Sequence, residues 1–194
     1  VALSSDGYLY ELSIEKVQNE DDQESIEFSI IDEVSEIEFD FVSGSSKHCL
    51  AVSKSGSVYA RGDNSFGQCG VNSHKKNLTK FVKIKKFTSK KIISAFAGFN
   101  HSLFLNEKGA VFACGNNEYG QLLTNDKPCK ENFLKPVKTV IHSGATFCIA
   151  GKGLSVVFLY SKPPPTTPNM KIEDNKNAEE GKEEKIENKK VDDI

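Results

Sequence analysis

The residues with the most chemical reach in this sequence are four histidines, five cysteines, two glycine-rich turns and a run of lysines. His48, His74, His101 and His142 are widely spaced and form no HExxH pair. Cys49, Cys69, Cys114, Cys129 and Cys148 are odd in number and contain no CxxC. They indicate neither a disulfide framework nor a thiolate metal site, so a reducing compartment, cytoplasmic or nuclear, is expected. Gly62 with Gly67, and Gly115 with Gly120, have the density of a phosphate-binding loop. Gln68 and Gln121 follow them, however, where such a loop needs Lys and then Ser or Thr opening a helix. The sequence therefore assigns no catalytic residue, no cofactor site and no metal ligand, and the chain is expected not to be an enzyme.

The lysines are more informative. Residues 75–91 hold Lys75, Lys76, Lys80, Lys83, Lys85, Lys86, Lys90 and Lys91 without one acidic side chain. Phe81, Lys83, Lys85 and Phe87 share one alternation phase, and Val82, Ile84 and Lys86 share the other. This pattern fits an outer strand with a lysine-rich face. Such a strand is either a solvated edge protected against pairing or a basic patch for an acidic protein, chromatin or another polyanion. The absence of Arg forks argues against base-specific reading.

Charge is segregated along the 194 residues. The net is −11 over residues 11–40, +12 over 41–160 and −2 over 161–194, against −2 for the whole chain. In the acidic stretch 15–40, Ile26, Phe28 and Ile30 lie in one phase, followed by Ile31, Val34, Ile37 and Phe39. A strand followed by a turn is one reading, and an internal clamp onto the lysines another. A solvated loop is preferred.

A repeat must position these residues. Gly56-Ser57-Val58-Tyr59-Ala60-Arg61-Gly62-Asp63-Asn64-Ser65-Phe66-Gly67-Gln68 returns as Gly109-Ala110-Val111-Phe112-Ala113-Cys114-Gly115-Asn116-Asn117-Glu118-Tyr119-Gly120-Gln121, offset by 53 without a gap. Upstream, Gly44 and His48 resemble Gly98 and His101, with one residue fewer in the later copy. Gly144 opens the pattern again as a third copy, with Phe147 in the place of His101. Gly7 aligns with Gly56 in a truncated first copy, with Ser13 in the place of Gly62. Residues 48–52 and 57–60 flank a Gly-closed loop, which predicts a hairpin, and 103–105 with 110–113 predict another. The equivalent histidines are read as packed or hydrogen-bonded side chains, the glycines as turn residues, and Gln68 and Gln121 as bonding backbone across corners.

A glycine, a strand-entry histidine, then Gly-x-Val-[Tyr/Phe]-Ala-x-Gly-x-Asn-x-[Phe/Tyr]-Gly-Gln resembles the repeat of the regulator of chromosome condensation (RCC1) family. That resemblance implies an all-β, RCC1-type β-propeller, here incomplete with about three blades. It also implies use as a protein-docking or regulatory module, with guanine-nucleotide exchange on a Ran-like small GTPase, or chromatin binding, as alternatives. None of the family's exchange residues can be placed on this chain.

The expected units are residues 1–40 (degenerate), 41–95, 96–140 and 141–160 (truncated), followed by 161–194. That last segment opens on prolines, including Pro165, Pro168 and a Thr167-Pro168 pair, continues as Lys, Glu, Asp and Asn, and is expected to be disordered. The strand-like opening at Val1 reads as entry into the middle of a fold, so a fragment of a longer protein is expected. No apolar run is long enough for a membrane span. The expected partner is a protein.

Overall fold

A computed structural model of the chain describes residues 1–16, 24–87, 89–125 and 127–160. The segment 161–194 and Glu20-Asp21-Asp22-Gln23 lie outside the described residues, and so do the expectations made for them.

The described chain is built from antiparallel sheets. The first contains β1 (Ala2–Leu3), β2 (Leu9–Lys16) and β3 (Glu24–Ile30). The second contains β4 (Phe39–Gly44), β5 (His48–Ser53), β6 (Val58–Asp63) and β7 (Asn77–Lys83), in that spatial order. The third repeats this arrangement with β8 (Ile92–Ala97), β9 (His101–Asn106), β10 (Val111–Asn117) and β11 (Cys129–Lys138). A pair, β12 (Ala145–Ala150) and β13 (Ser155–Leu159), follows. Both predicted hairpins are present, with Leu50 facing Ala60 and Leu103 facing Ala113.

Alternation along each strand sends side chains to opposite faces, so each face finds a different neighbouring sheet. Leu50, Val52 and Val58 join Ile92, Ala95, Phe104 and Phe112 in the core between the second and third sheets. Leu103, Leu105 and Val111, in the other phase, meet Ala145 and Cys148 of the last pair. Leu9, Ile31, Val34 and Phe39 pack with Ala51 and Phe81 between the first and second sheets. The third sheet is thus covered on both sides, and every residue of β10 is buried. Such stacking meets the need of a repeat that cannot bury both faces alone.

Several expectations need correcting. The preferred loop in the acidic stretch is a strand: β3 pairs along β2 from Tyr10–Ile30 to Lys16–Glu24. A 3-10 turn at Asp32–Val34 then buries Val34. Apolar residues at 26, 28 and 30 carried this signal, and Glu27 with the acidic run before them obscured it. The unit boundary near residue 95 falls inside β8, whose hydrogen bonds go to β9 in the third sheet. The alternation across residues 81–87 does not continue as one strand, since β7 ends at Lys83 and Lys85–Phe87 form a 3-10 turn that buries Phe87.

The repeat register also changes. Phe39, Ile92 and Ala145, spaced by 53, each donate a backbone N–H to the hairpin glycine of the preceding sheet: Gly7, Gly56 and Gly109. Ser45, Gly98 and Gly151 likewise donate to the carbonyls of His48, His101 and Leu154. Leu154, not Phe147, therefore stands where His101 stood, and Gly151, not Gly144, matches Gly98. Gly44 matches Ala97, and no residue is lost between copies. Gly44 and Gly144 have open space where a Cβ would be, and Gly144 instead lends its backbone to the close approach at Gly109.

Candidate interaction surface

The repeat residues build a joint between sheets. Ser102 Oγ donates to the Gln68 carbonyl at 2.7 Å and lies 2.7 Å from His48 Nε2. With its proton committed to the carbonyl, Ser102 accepts from His48, which fixes that ring as the Nε2–H tautomer. The same relay recurs one sheet further on: Ser155 Oγ donates to the Gln121 carbonyl at 2.6 Å and sits 2.9 Å from His101 Nε2. Burial lowers the pKa of both histidines to about 4, so both are neutral at physiological pH. Ser45 Oγ reaches His48 Nδ1 at 3.3 Å. At the equivalent position Gly98 has no hydroxyl, and His101 Nδ1 has no hydrogen-bond partner among the described residues.

Gly62 and Gly115 close these joints. Each has a φ above +100°, and an added Cβ would lie 2.5 Å from the Lys47 carbonyl or 2.4 Å from that of Asn100. Both the backbone angle and the close approach exclude a side chain. Gly67 abuts the Leu134 and Phe133 backbone of β11, while Gly120 has only Pro128 nearby.

Asn64 holds the long β6–β7 loop by donating to the carbonyls of Ser73 and Lys75 and accepting from Cys69 N–H. Asn117 accepts from Leu122 N–H. Gln68 and Gln121 accept, through Oε1, from the N–H groups of Phe66 and Tyr119. They bond backbone as expected, but within their own loops; the contact to the next sheet runs through their main-chain carbonyls.

These joints position one end of the sheets, where the β4–β5, β8–β9 and β12–β13 loops meet the longer β6–β7 and β10–β11 loops. Lys47 Nζ lies 4.5 Å from the Phe99 ring centroid and 5.9 Å from that of Phe66, and Lys152 Nζ lies 5.9 Å from Phe99. Lys47 is further held by Asp63 at 3.6 Å. Beside Lys152, Gly153 abuts the ring of Tyr119, which is 70% exposed. The second and third sheets thus contribute half-buried or exposed aromatics, interleaved with the ammonium groups of Lys47 from the second sheet and Lys152 from the last pair. Sequence reading missed this cluster because Lys47, Phe99 and Lys152 vary between copies. The paired aromatics Phe66 and Tyr119 were its only repeated signal.

The lysine-rich segment is spread over several elements. Lys83, Lys85 and Lys86 line a cleft of about 600 Å³ together with Lys135 of β11. Lys75, Lys76, Lys80, Lys90 and Lys91 do not line it. Lys90 lies over Phe112 at 5.9 Å, and Lys91 packs against Gly56. Lys135 was missed because it lies in a different copy of the repeat. The acidic stretch meets β7 through the apolar packing of Ile31 and Val34 with Phe81 and through a Phe81 N–H donated to Glu33 Oε1 at 3.2 Å.

Four of the five thiols are unsuited to nucleophilic work: burial raises Cys69 to about 12 and Cys148 to about 11, and raises Cys114 and Cys49. Among the described residues, no three His, Cys, Asp or Glu side chains are grouped to hold a metal ion, and no helix is long and apolar enough to cross a membrane.

Two family models described as the regulator of chromosome condensation (RCC1) repeat match the chain, one over residues 39–68 and again over 92–121, the other over 55–105. The two windows of the first are offset by 53, the register of the inter-sheet bonds. Residues 39–121 belong to the RCC1 repeat family.

The RCC1 sheets are therefore propeller blades. Prp20p from Saccharomyces cerevisiae superposes with a TM-score of 0.60 at 16% identity, covering 82% of this chain and 42% of that one. Its crystal structure is described together with its binding properties to Gsp1p and histones. "Probable E3 ubiquitin-protein ligase HERC4" of Homo sapiens is 34% identical over 94 residues, which are 47% of this chain and 9% of the relative. The X-linked retinitis pigmentosa GTPase regulator of Canis lupus familiaris is 33% identical over 93 residues, 48% of this chain and 9% of the relative. The chain thus spans a small part of the curated relatives it matches.

Proposed function

We propose that this chain is a protein-docking and regulatory module without catalysis of its own, and that it binds its partner through the loop end carrying Lys47, Phe66, Phe99, Tyr119 and Lys152. The observation that carries this reading is the aromatic–lysine cluster shared by the two four-stranded blades and the strand pair that follows them. Aromatic anchors beside long cationic side chains are enriched where interface energy concentrates. The blade joints hold these loops in place before binding, which lowers the ordering cost of association. The names of the relatives support a regulatory role: one is a GTPase regulator, another binds Gsp1p and histones. Exchange on a small GTPase remains the second reading, favoured by those names alone.

A photo-crosslinking amino acid placed at Tyr119 should yield one discrete adduct in cell extract. The same group at Ser55, in a hairpin at the opposite end of the blade, should not. Identical adduct patterns from the two positions would remove the loop end from the proposal. Nucleotide release from a Gsp1p-type GTPase should be unchanged by the chain; acceleration would replace docking by exchange.

A further inference from the structure

The loop end leaves the lysine-lined cleft on the outer rim without a role. The cleft opens between two blades. Val82 and Lys83 come from the end of β7, Lys85 and Lys86 from the following 3-10 turn, Gly70 and Val71 from the β6–β7 loop, and Lys135 from β11 of the next blade. Asn72 donates its N–H to the Leu134 carbonyl at 2.8 Å, which fastens the β6–β7 loop to β11 and sets the width of the opening. Lys86 and Lys135 are exposed and make no ion pair with any described residue. Lys83 crosses the rim with its ammonium 6.0 Å from the Tyr59 ring.

We infer that this cleft binds an acidic peptide segment, extended along the outer edge of β7 with an apolar side chain between Val71 and Val82 and carboxylates toward Lys86 and Lys135. Three observations favour a peptide. The cleft is partly apolar, since Val82 is 39% exposed and Val71 is only partly buried. A peptide side chain fills such a surface; a phosphodiester backbone does not. The lining has no aromatic ring for base stacking and no Arg fork. Finally, the chain's own Glu33 carboxylate already accepts the outward N–H of Phe81, so the free edge of β7 takes a carboxylate. Lys83, two residues on, presents its N–H on the same edge, beside the cleft. Main-chain bonds to a sheet edge supply affinity, and the flanking lysines supply preference for acid.

The inference rests on the docking-module reading, but it concerns a different face. The test uses the full chain and a fluorescein-labelled oligo-Glu peptide with one central Leu, followed by fluorescence anisotropy. Lys86→Glu/Lys135→Glu should weaken binding at least about tenfold, while Lys75→Glu/Lys80→Glu, an equal charge change outside the cleft, should weaken it far less. A Gln-for-Glu peptide should not bind. A phosphoserine peptide binding more tightly than the Glu peptide would keep the site and name phosphate as its preferred anion. Equal loss from both lysine pairs would reduce the effect to diffuse attraction and overturn the assignment. So would labelled duplex DNA that binds more tightly and displaces the peptide. Tyr119→Ala should leave peptide binding intact, so failure at the loop end and failure at the cleft are told apart. Unchanged thermal unfolding of the charge-reversed chain excludes misfolding as the cause.

Discussion

At the residue scale, the neutral rings of His48 and His101 make the blade joints sensitive to acid. Their folded pKa of about 4 lies below the ordinary 6.5. Between those values the unfolded chain binds protons that the folded chain does not, so stability rises with pH. It should be fully present above pH 6.5, fall as pH drops toward 4 and level off below, by on the order of 3 kcal/mol per ring. Urea unfolding between neutral pH and about pH 5, above the main carboxylate range, should show this loss. His101→Leu, which copies Leu154 at the equivalent position, should remove about half of it; an unchanged slope would mean that the ring is not held neutral. Ser102→Ala leaves the Gln68 carbonyl and the His48 N–H without their shared partner, and should cost about 1–3 kcal/mol at neutral pH. The histidines were legible as structural residues because they recur in the repeat. Ser102 and Ser155 recur at the same spacing but were overlooked, since Ser155 follows a leucine and a misplaced Gly144 had shifted the last copy.

At the element scale, strand alternation decides which neighbouring blade each side chain meets. Phe104 is fully buried and packs 5.0 Å from the Phe87 ring, joining the 3-10 turn of the second blade to β9 of the third. Phe104→Ala should therefore destabilise the fold by about 3–5 kcal/mol, measured by equilibrium unfolding. A change well under 1 kcal/mol would show that the second and third blades do not share a core. The hairpins of these blades were readable because Gly-closed loops separate short apolar runs. β3 was harder: its outward Ile26 and Phe28 are about 60% exposed, so its apolar phase marks no buried face, and the surrounding acids resemble a loop. β8 was cut by the expected unit boundary because a sequence repeat has no natural starting point. Hydrogen-bond pairing supplies one.

At the scale of the whole molecule, the described chain holds two four-stranded blades between two shorter sheets. The shorter sheets turn apolar surface outward: Ile26 and Phe28 on one, and Phe147, Phe158 and Leu159 on the other. In a stacked repeat such faces are where further units pack. The propeller architecture was legible from the motif. The loop-end cluster was not, because it is assembled from residues that differ between copies and meet only when the blades are side by side. The central claim is that this cluster is the docking surface. Its most direct test is the affinity of the partner crosslinked at Tyr119 for a Phe99→Ala/Tyr119→Ala chain, with Lys54→Glu at the opposite end as control. Removing two aromatic anchors should weaken binding by about 2 kcal/mol or more, roughly thirtyfold, with the control unchanged. Equal affinity for all three chains would contradict the account.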